Sequence, residues 1–147
     1  DGRNYHAWLW PDLPRRNYVH DESAQGTFVV RNSDNRGNDY LSDYVMVHFT
    51  LQTNSTDDKI YVSGGFTNHL LLPQYQMQRN AATGNYELAL LLKQGYYSYT
   101  YVQVGADGYA RNLPSEGNFY QTQNQYQALI YYRGPGERTD RLVAVVQ

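Results

Sequence analysis

The chain has 147 residues, with 12 lysines and arginines against 14 aspartates and glutamates, and it has no cysteine. This length suits a single domain with an extension. The near-neutral charge and the absence of a basic run argue against nucleic acid as a partner. No apolar run approaches the roughly 18 residues that a membrane-spanning helix needs, so we predict no transmembrane segment. Disulfides and thiol chemistry are excluded, whereas the compartment stays open.

The N-terminal 40 residues predict short strands separated by irregular segments. Residues 5–10 alternate in the manner of a strand, and Pro11 and Pro14 end this pattern because proline cannot donate to a β-ladder. We therefore predict a short edge strand here and a compact strand over residues 26–32, followed by a polar loop. We assign residues 1–40 to N-terminal strands and a connecting segment, for which the end of a preceding domain is the alternative. Residues 41–147 are assigned to a β-sandwich domain.

The clearest strand pattern runs from Asp43 to Leu51, where Val45, Val47, Phe49 and Leu51 fall on one face. His48 falls on the opposite, more polar face, where a solvated or hydrogen-bonded histidine is expected rather than a ligand. Residues 59–63 predict the next strand. The Gly64-Gly65 pair predicts a bulge or bend where the chain leaves the sheet.

The stretch from Lys59 to Val104 is predicted to form the centre of the fold. Tyr86, Leu88, Leu90 and Leu92 share one face of a strand, and a second aromatic strand begins at Tyr97. Only residues 93–96 separate the two, so we predict an antiparallel hairpin, with a positive φ at Gly95. Residues 126–133 and 142–146 predict two further strands.

These elements together predict an all-β fold. About eight short strands with turn signals between them, and no helical periodicity, are typical of an antiparallel β-sandwich. The four histidines are scattered, and no nucleophile motif or phosphate-binding glycine loop occurs. The carboxylates lie mostly in turns. We therefore predict that the protein is not an enzyme and holds no cofactor or metal.

Aromatic residues are the unusual part of the composition, with sixteen tyrosines and two tryptophans. Tyrosine suits a half-buried sheet surface because its ring packs while its hydroxyl stays hydrated or bonded. Trp8 and Trp10 are predicted on the same face of the N-terminal strand. They would either pack against the sandwich and close its core, or stay exposed and stack on sugar rings or on a partner protein.

Two segments resemble a known class of carbohydrate-binding module. IYVSGGFTN and NYELALLLKQGYYSYTYVQVGADG are similar to early-set, glycogen-binding-type immunoglobulin-like modules. The tryptophan that such modules carry after the first segment is His69 here, and the turn at Gly108 is followed by Tyr109 rather than tryptophan. The resemblance implies an immunoglobulin-like sandwich, and carbohydrate binding is the alternative function that it implies.

A second resemblance covers most of the chain. The segments SDYVMVHFTL, IYVSGGFTN, NYELALLLKQGYYSYTYV, EGNFYQTQNQYQALIYYR and GERTDRLVAV, in this order, resemble the type IX secretion system plug protein family of Bacteroidota. Met46 and Thr139 replace a tryptophan and a tyrosine that are frequent there. The chain would correspond to the C-terminal portion of that family's length, preceded by a leader and an earlier β domain.

This second resemblance implies a non-enzymatic protein of the periplasm, associated with the outer membrane. Such a protein closes the periplasmic mouth of an outer-membrane translocon, which would be its partner. Candidate contact residues lie in the segments with the most family-like detail, together with the two tryptophans: Glu116, Asn118, Phe119, Tyr120, Tyr131, Tyr132, Arg133, Trp8 and Trp10. An alternative for the first of these segments is that Asn118, Thr122 and Asn124 only fix a turn through bonds to the backbone.

Overall fold

The protein is all-β in the computed structural model, which describes residues 5–13, 27–31, 41–55, 59–113 and 126–146. These residues form two short 3₁₀ turns, Gly65–Thr67 and Pro73–Tyr75, and eleven strands: β1 Tyr5–Trp8, β2 Phe28–Val30, β3 Tyr44–Leu51, β4 Lys59–Gly64, β5 Gln78–Arg79, β6 Tyr86–Lys93, β7 Gly95–Tyr97, β8 Tyr99–Val104, β9 Ala110–Asn112, β10 Ala128–Tyr132 and β11 Arg141–Val146. None of these segments is a helix that is long and apolar enough to cross a membrane. The predicted all-β, sandwich-like fold is confirmed.

Two sheets form the body of the molecule. Sheet A has the strand order β1-β3-β6-β5, and sheet B has the order β4-β8-β9. Two further pairs, β2-β7 and β10-β11, form two-stranded ribbons. β1 lies at the edge of sheet A as predicted, but it runs parallel to β3, from Tyr5 opposite Val45 to Trp8 opposite His48. The prediction of a purely antiparallel arrangement is therefore wrong at this edge, while the other pairs of described strands are antiparallel.

The core lies between the inner faces of the two sheets. Phe49 and Leu51 of β3 are buried there against Ile60 and Val62 of β4 and Tyr101 of β8. The alternation predicted for β3 is thus confirmed, and Leu88, Leu90 and Leu92 pack on the same cluster from β6. Burying each side chain of this size contributes about 1.5–3 kcal/mol, so this face fixes the register of β3 against β6.

The predicted central hairpin is wrong, because β6 and β8 belong to different sheets. β7 lies between them and pairs with β2, so that Gly95 is opposite Val30 and Tyr97 is opposite Phe28. The chain thereby crosses from sheet A to sheet B instead of turning back within one sheet.

Gly95 has a different role from the one predicted. The described glycines with positive φ are Gly84, Gly108 and Gly136, and Gly95 is not among them. A Cβ at Gly95 would instead collide with the carbonyl oxygen of Val29 and the Cα of Val30. Glycine is needed at this position because the β2 backbone passes so close to it.

Several connections follow the sequence prediction. The chain leaves β4 at the Gly64-Gly65 pair through a 3₁₀ turn, where the Thr67 hydroxyl donates to the Gly64 carbonyl and accepts from the Gly64 N–H. A turn ends β8, with Gly108 at φ 77°. The boundary at residue 40 stays a prediction, but β1 and β2 on its N-terminal side both pair with strands on its C-terminal side.

Candidate interaction surfaces

The ribbon formed by β10 and β11, here called the C-terminal ribbon, exposes an unusual amount of apolar surface. Its strands pair with each other and with no other described strand. Its large apolar side chains are between 47% and 58% exposed: Leu129, Ile130, Tyr131, Tyr132, Leu142, Val143, Val145 and Val146. An isolated two-stranded hairpin is at best marginally stable in water. The exposed apolar side chains of this ribbon favour contact with another apolar surface.

Both faces of the ribbon are apolar. Leu129 and Tyr131 lie on one face of β10, and Ile130 and Tyr132 lie on the other. β11 carries one extra residue, since Ile130 pairs with Ala144 and Tyr131 with Leu142, which leaves Val143 as the bulge. A strand that is apolar on both faces is typical of a position covered on both sides.

Charged side chains pair with one another at the tip of the ribbon. Arg133 Nε donates to Asp140 at 2.8 Å, and Arg141 pairs with Glu137 at 3.2 Å. The other Glu137 oxygen accepts the Gly134 N–H at 2.8 Å. Exposed ion pairs contribute little to stability, but the bond to Asp140 holds the Arg133 guanidinium at the end of β10. Tyrosine and arginine are among the residue types that contribute most of the binding energy in protein interfaces.

Three predicted contact residues, Tyr131, Tyr132 and Arg133, lie on the C-terminal ribbon and at its tip, with the two tyrosines on opposite faces. The predicted segment containing Glu116, Asn118, Phe119 and Tyr120 lies outside the described residues. Trp8 and Trp10 lie on a separate surface, at the β1 edge of sheet A.

The two tryptophans are exposed, by 70% for Trp8 and 92% for Trp10. The two rings are not part of the core, so the alternative in which they pack against the sandwich is wrong. The structure supports the other alternative, in which they stay exposed. The Trp8 ring stacks on His48, with centroids 4.7 Å apart and planes 6° apart, and on His6 at 5.4 Å. His6 Nδ1 lies 2.9 Å from His48 Nε2, which fixes the two imidazoles in one hydrogen bond.

The stacked rings belong to a wider patch, which we call the outer face of sheet A. By register, His6 and Met46 lie in one row with Leu91, and Trp8 and His48 lie in the next row with Ala89. Leu91 and Ala89 are exposed on the side of β6 that faces away from the core.

Sequence reasoning missed the β6 part of this patch. Ala89 and Leu91 interrupt the alternation predicted for β6, because the strand is apolar at every position from Leu88 to Leu92. A run that is apolar on both faces was the signal that this strand also has an apolar outer side.

Asp12 holds the N-terminal edge in place. One of its carboxylate oxygens accepts from the hydroxyls of Tyr99 at 2.9 Å and Tyr101 at 2.5 Å. The Asp12 backbone N–H donates to Thr50, and its carbonyl accepts from Gln52. Burial, together with the neighbouring Tyr99 and Asp12, raises the pKa of Tyr101 above its ordinary value of 10.0. This clamp fixes the strand that carries Trp8.

The comparisons with known proteins bear on the fold of this chain and indicate no activity. No protein-family model matches the chain, and no curated protein matches it. The crystal structure of a hypothetical protein from Parabacteroides merdae is similar to this chain, with 39% identity and a TM-score of 0.86. The match covers 97% of this chain and 37% of that protein. The chain therefore spans little more than a third of the length of that relative.

Proposed function

We propose that the protein is a non-enzymatic plug of the type IX secretion system, which closes the periplasmic mouth of the outer-membrane translocon by occupying it. The observation that carries this proposal is the C-terminal ribbon, apolar on both faces and ending at Arg133. Its strands lie almost entirely within EGNFYQTQNQYQALIYYR and GERTDRLVAV, two of the segments in which the sequence resembles that family. The proposal places the protein in the periplasm, associated with the outer membrane.

The kind of residue on the exposed surface supports a protein partner. The C-terminal ribbon and the outer face of sheet A both combine exposed aromatic with exposed aliphatic side chains. Contiguous apolar patches of this kind are typical of protein contacts, whereas small ligands are taken up in concave sites.

The fold suits occlusion of a channel. Closely packed sheets resist deformation, because their backbone groups are hydrogen-bonded and their core side chains interdigitate. A reversible seal needs aromatic and arginine anchors within a moderately polar interface. The ribbon provides Tyr131 and Tyr132 as anchors, with Arg133 held by Asp140 at its tip.

The test is an affinity pull-down of the tagged protein from native outer-membrane extract, followed by mass spectrometry. We expect recovery of a very large β-barrel translocon subunit, and we expect Tyr131→Ala with Arg133→Ala to reduce it strongly. The matched control is Tyr109→Ala with Arg111→Ala, an equally spaced pair whose arginine binds Asp107.

Two results would contradict the proposal. One is the absence of a translocon subunit from the wild-type pull-down. The other is equal recovery by the two double variants, which would show that the C-terminal ribbon makes no contact.

Carbohydrate binding is the second candidate, and the exposure of Trp8 and Trp10 is the observation that favours it. Exposed tryptophan rings stack on sugar rings in many binding modules. Retention on a glycan array that is lost in Trp8→Ala and Trp10→Ala, and kept in Tyr131→Ala, would support this candidate. If the glycan array shows this pattern and the pull-down recovers no membrane partner, carbohydrate binding replaces the plug as the proposed function.

A further inference from the structure

Two histidines on the outer face of sheet A join the N-terminal strand to the rest of the sheet. His6 Nδ1 of β1 lies 2.9 Å from His48 Nε2 of β3, and the Trp8 ring stacks on both imidazoles. The centroids of the two imidazoles are 5.3 Å apart, so these rings meet at their edges, along the bond between the two nitrogens. We call His6 and His48 the histidine pair.

The second nitrogen of His6 determines where the protons of the pair lie. A hydrogen bond between two imidazoles needs a proton on one nitrogen and a lone pair on the other. His6 Nε2 is buried, and no described residue gives it a hydrogen-bond partner. A buried N–H without an acceptor is costly, so the favoured tautomer leaves Nε2 bare. His6 then donates from Nδ1 to His48 Nε2.

An additional proton has no satisfied position in this arrangement. On His6 it would occupy Nε2, as a buried donor without an acceptor. On His48 it would occupy Nε2 and face the His6 Nδ1–H, unless His6 moves its own proton to the same buried Nε2. Stacking of a protonated His48 on Trp8 is favourable, but this stack is largely exposed and offsets only part of the cost. Protonation therefore opposes the bond between the two histidines.

The strand that this bond holds is short and lies at an edge. β1 has four residues, and among the described strands it pairs with β3 alone. The backbone pairing continues to Leu9, whose N–H donates to the His48 carbonyl at 3.0 Å. Asp12 fastens the chain beyond this point, to Tyr99 and Tyr101. Loss of the histidine bond should therefore loosen β1 locally, and the Leu9 amide reports on that event.

The other charged groups on the outer face of sheet A already have partners. By register, Lys93 lies at one end of this face, with its Nζ 5.6 Å from the centre of the Tyr44 ring. Glu87 lies at the other end and accepts from Asn80 at 3.0 Å. The described residues between them on this face are uncharged apart from the pair: Met46, Thr50, Gln78, Ala89 and Leu91. Carboxylates and lysines ordinarily titrate outside the range from about pH 5.5 to 7.5, so a response in this range is that of the histidine pair.

We propose that the histidine pair is a proton-sensitive latch, which holds β1 on β3 when both rings are neutral and releases it when the pair is protonated. Histidine ordinarily takes up its proton near about pH 6.5, so release belongs to mildly acidic conditions. The surface that carries Trp8 is then ordered at neutral pH and loosened in acid. This inference goes beyond the proposed plug function. It concerns the β1 edge, whereas the pull-down tests the C-terminal ribbon, so either proposal can fail without the other.

The test is amide hydrogen exchange of the intact protein by NMR at about pH 7.5 and about pH 5.5, with rates corrected for the intrinsic effect of pH. A free histidine at about pH 5.5 is protonated about ten times more often than it is neutral. We therefore expect the Leu9 N–H to lose protection about tenfold between the two conditions. The Leu113 N–H, which donates to the Tyr101 carbonyl in sheet B, should keep its protection and shows that the domain stays folded.

Two variants assign the response to the pair. His6→Phe keeps a flat ring beside Trp8 and removes both nitrogens, so the protection of Leu9 should be the same at the two pH values. His69→Asn is the matched control, because His69 is exposed in a turn with φ 55° and asparagine tolerates a positive φ. It should keep the response of the wild type. If His6→Phe does not fold, His48→Phe removes the same bond from β3 and replaces it.

Three results would overturn the proposal. The first is equal protection of Leu9 in the wild type at the two pH values. The second is a wild-type response that persists in the phenylalanine variant. The third is a parallel loss of protection at Leu113, which would show that acid unfolds the whole domain and not the β1 edge.

Discussion

Replacing Asp12 by alanine tests how the N-terminal strand is held on the sandwich. The Asp12 carboxylate accepts hydrogen bonds from Tyr99 and Tyr101, and these contacts connect residues 87 and 89 positions apart in sequence. Tyr101 is completely buried, so its hydroxyl would lose its acceptor in a place that water does not reach.

The expected cost follows from these two bonds. An unsatisfied buried hydroxyl costs about 1–3 kcal/mol, and the more accessible Tyr99 bond adds about 0.5–1.5 kcal/mol. We therefore expect Asp12→Ala to lower the free energy of unfolding by about 1.5–4.5 kcal/mol. Asp12→Asn keeps an acceptor oxygen and loses only the contribution of the charge, so it should cost about 1 kcal/mol.

Urea denaturation of the wild type and the two variants, followed by circular dichroism, measures these differences. Asp107→Ala is the control, because the Asp107 carboxylate also binds two protein groups, the Tyr109 N–H and the Arg111 guanidinium, but lies on the surface. We expect it to leave the denaturation midpoint unchanged. The reasoning is refuted if Asp12→Ala is as stable as the wild type, or if Asp12→Asn and Asp12→Ala lose stability equally.

Three further predictions concern stability. Gly95→Ala should cost about 1–3 kcal/mol, because the new methyl group collides with the β2 backbone; an unchanged melting temperature would contradict the close approach. Leu51→Ala should cost about 2–5 kcal/mol in urea denaturation, because Leu51 is completely buried, and a loss below 1 kcal/mol would contradict its place in the core. Since burial raises the pKa of Tyr101, the folded state holds this proton more tightly than the unfolded state. Stability should therefore fall above about pH 10, and Tyr101→Phe should lose less of its own stability between pH 8 and pH 10.5 than Tyr109→Phe loses; equal losses would contradict this assignment.

Side-chain alternation predicted the part of the fold that depends on one buried face. In β3 the period of two is strict, and Phe49 and Leu51 are buried as expected. The turn residues also predicted where strands end, as at Gly108, where the positive φ favours glycine. Both kinds of signal are local in sequence.

Strand pairing could not be predicted in the same way. A short connection such as residues 93–96 favours a hairpin, but β2 competes for the same backbone groups and pairs with β7 instead. The parallel pairing of β1 likewise depends on contacts between Asp12 and two tyrosines far along the chain. These contacts are decided by tertiary packing, which local patterns do not contain.

The candidate surfaces were predicted in part. Tyr131, Tyr132 and Arg133 were named from the resemblance, and the structure shows that all three are exposed, whereas their contact with a partner stays a prediction. The outer face of sheet A was recognised only at Trp8, because its other members come from strands that are neighbours in space and not in sequence.

The kind of apolar residue on the C-terminal ribbon distinguishes the two functions considered. Stacking on sugar needs flat rings with hydrogen-bond donors beside them, and Tyr131 and Tyr132 could serve in that way. Ile130 and Val143 cannot, because branched aliphatic side chains offer neither a ring face nor a polar group. Their burial is favourable only against another apolar surface, at about 25 cal/mol per Å². A ribbon with aliphatic residues on both faces therefore favours a protein partner over a glycan.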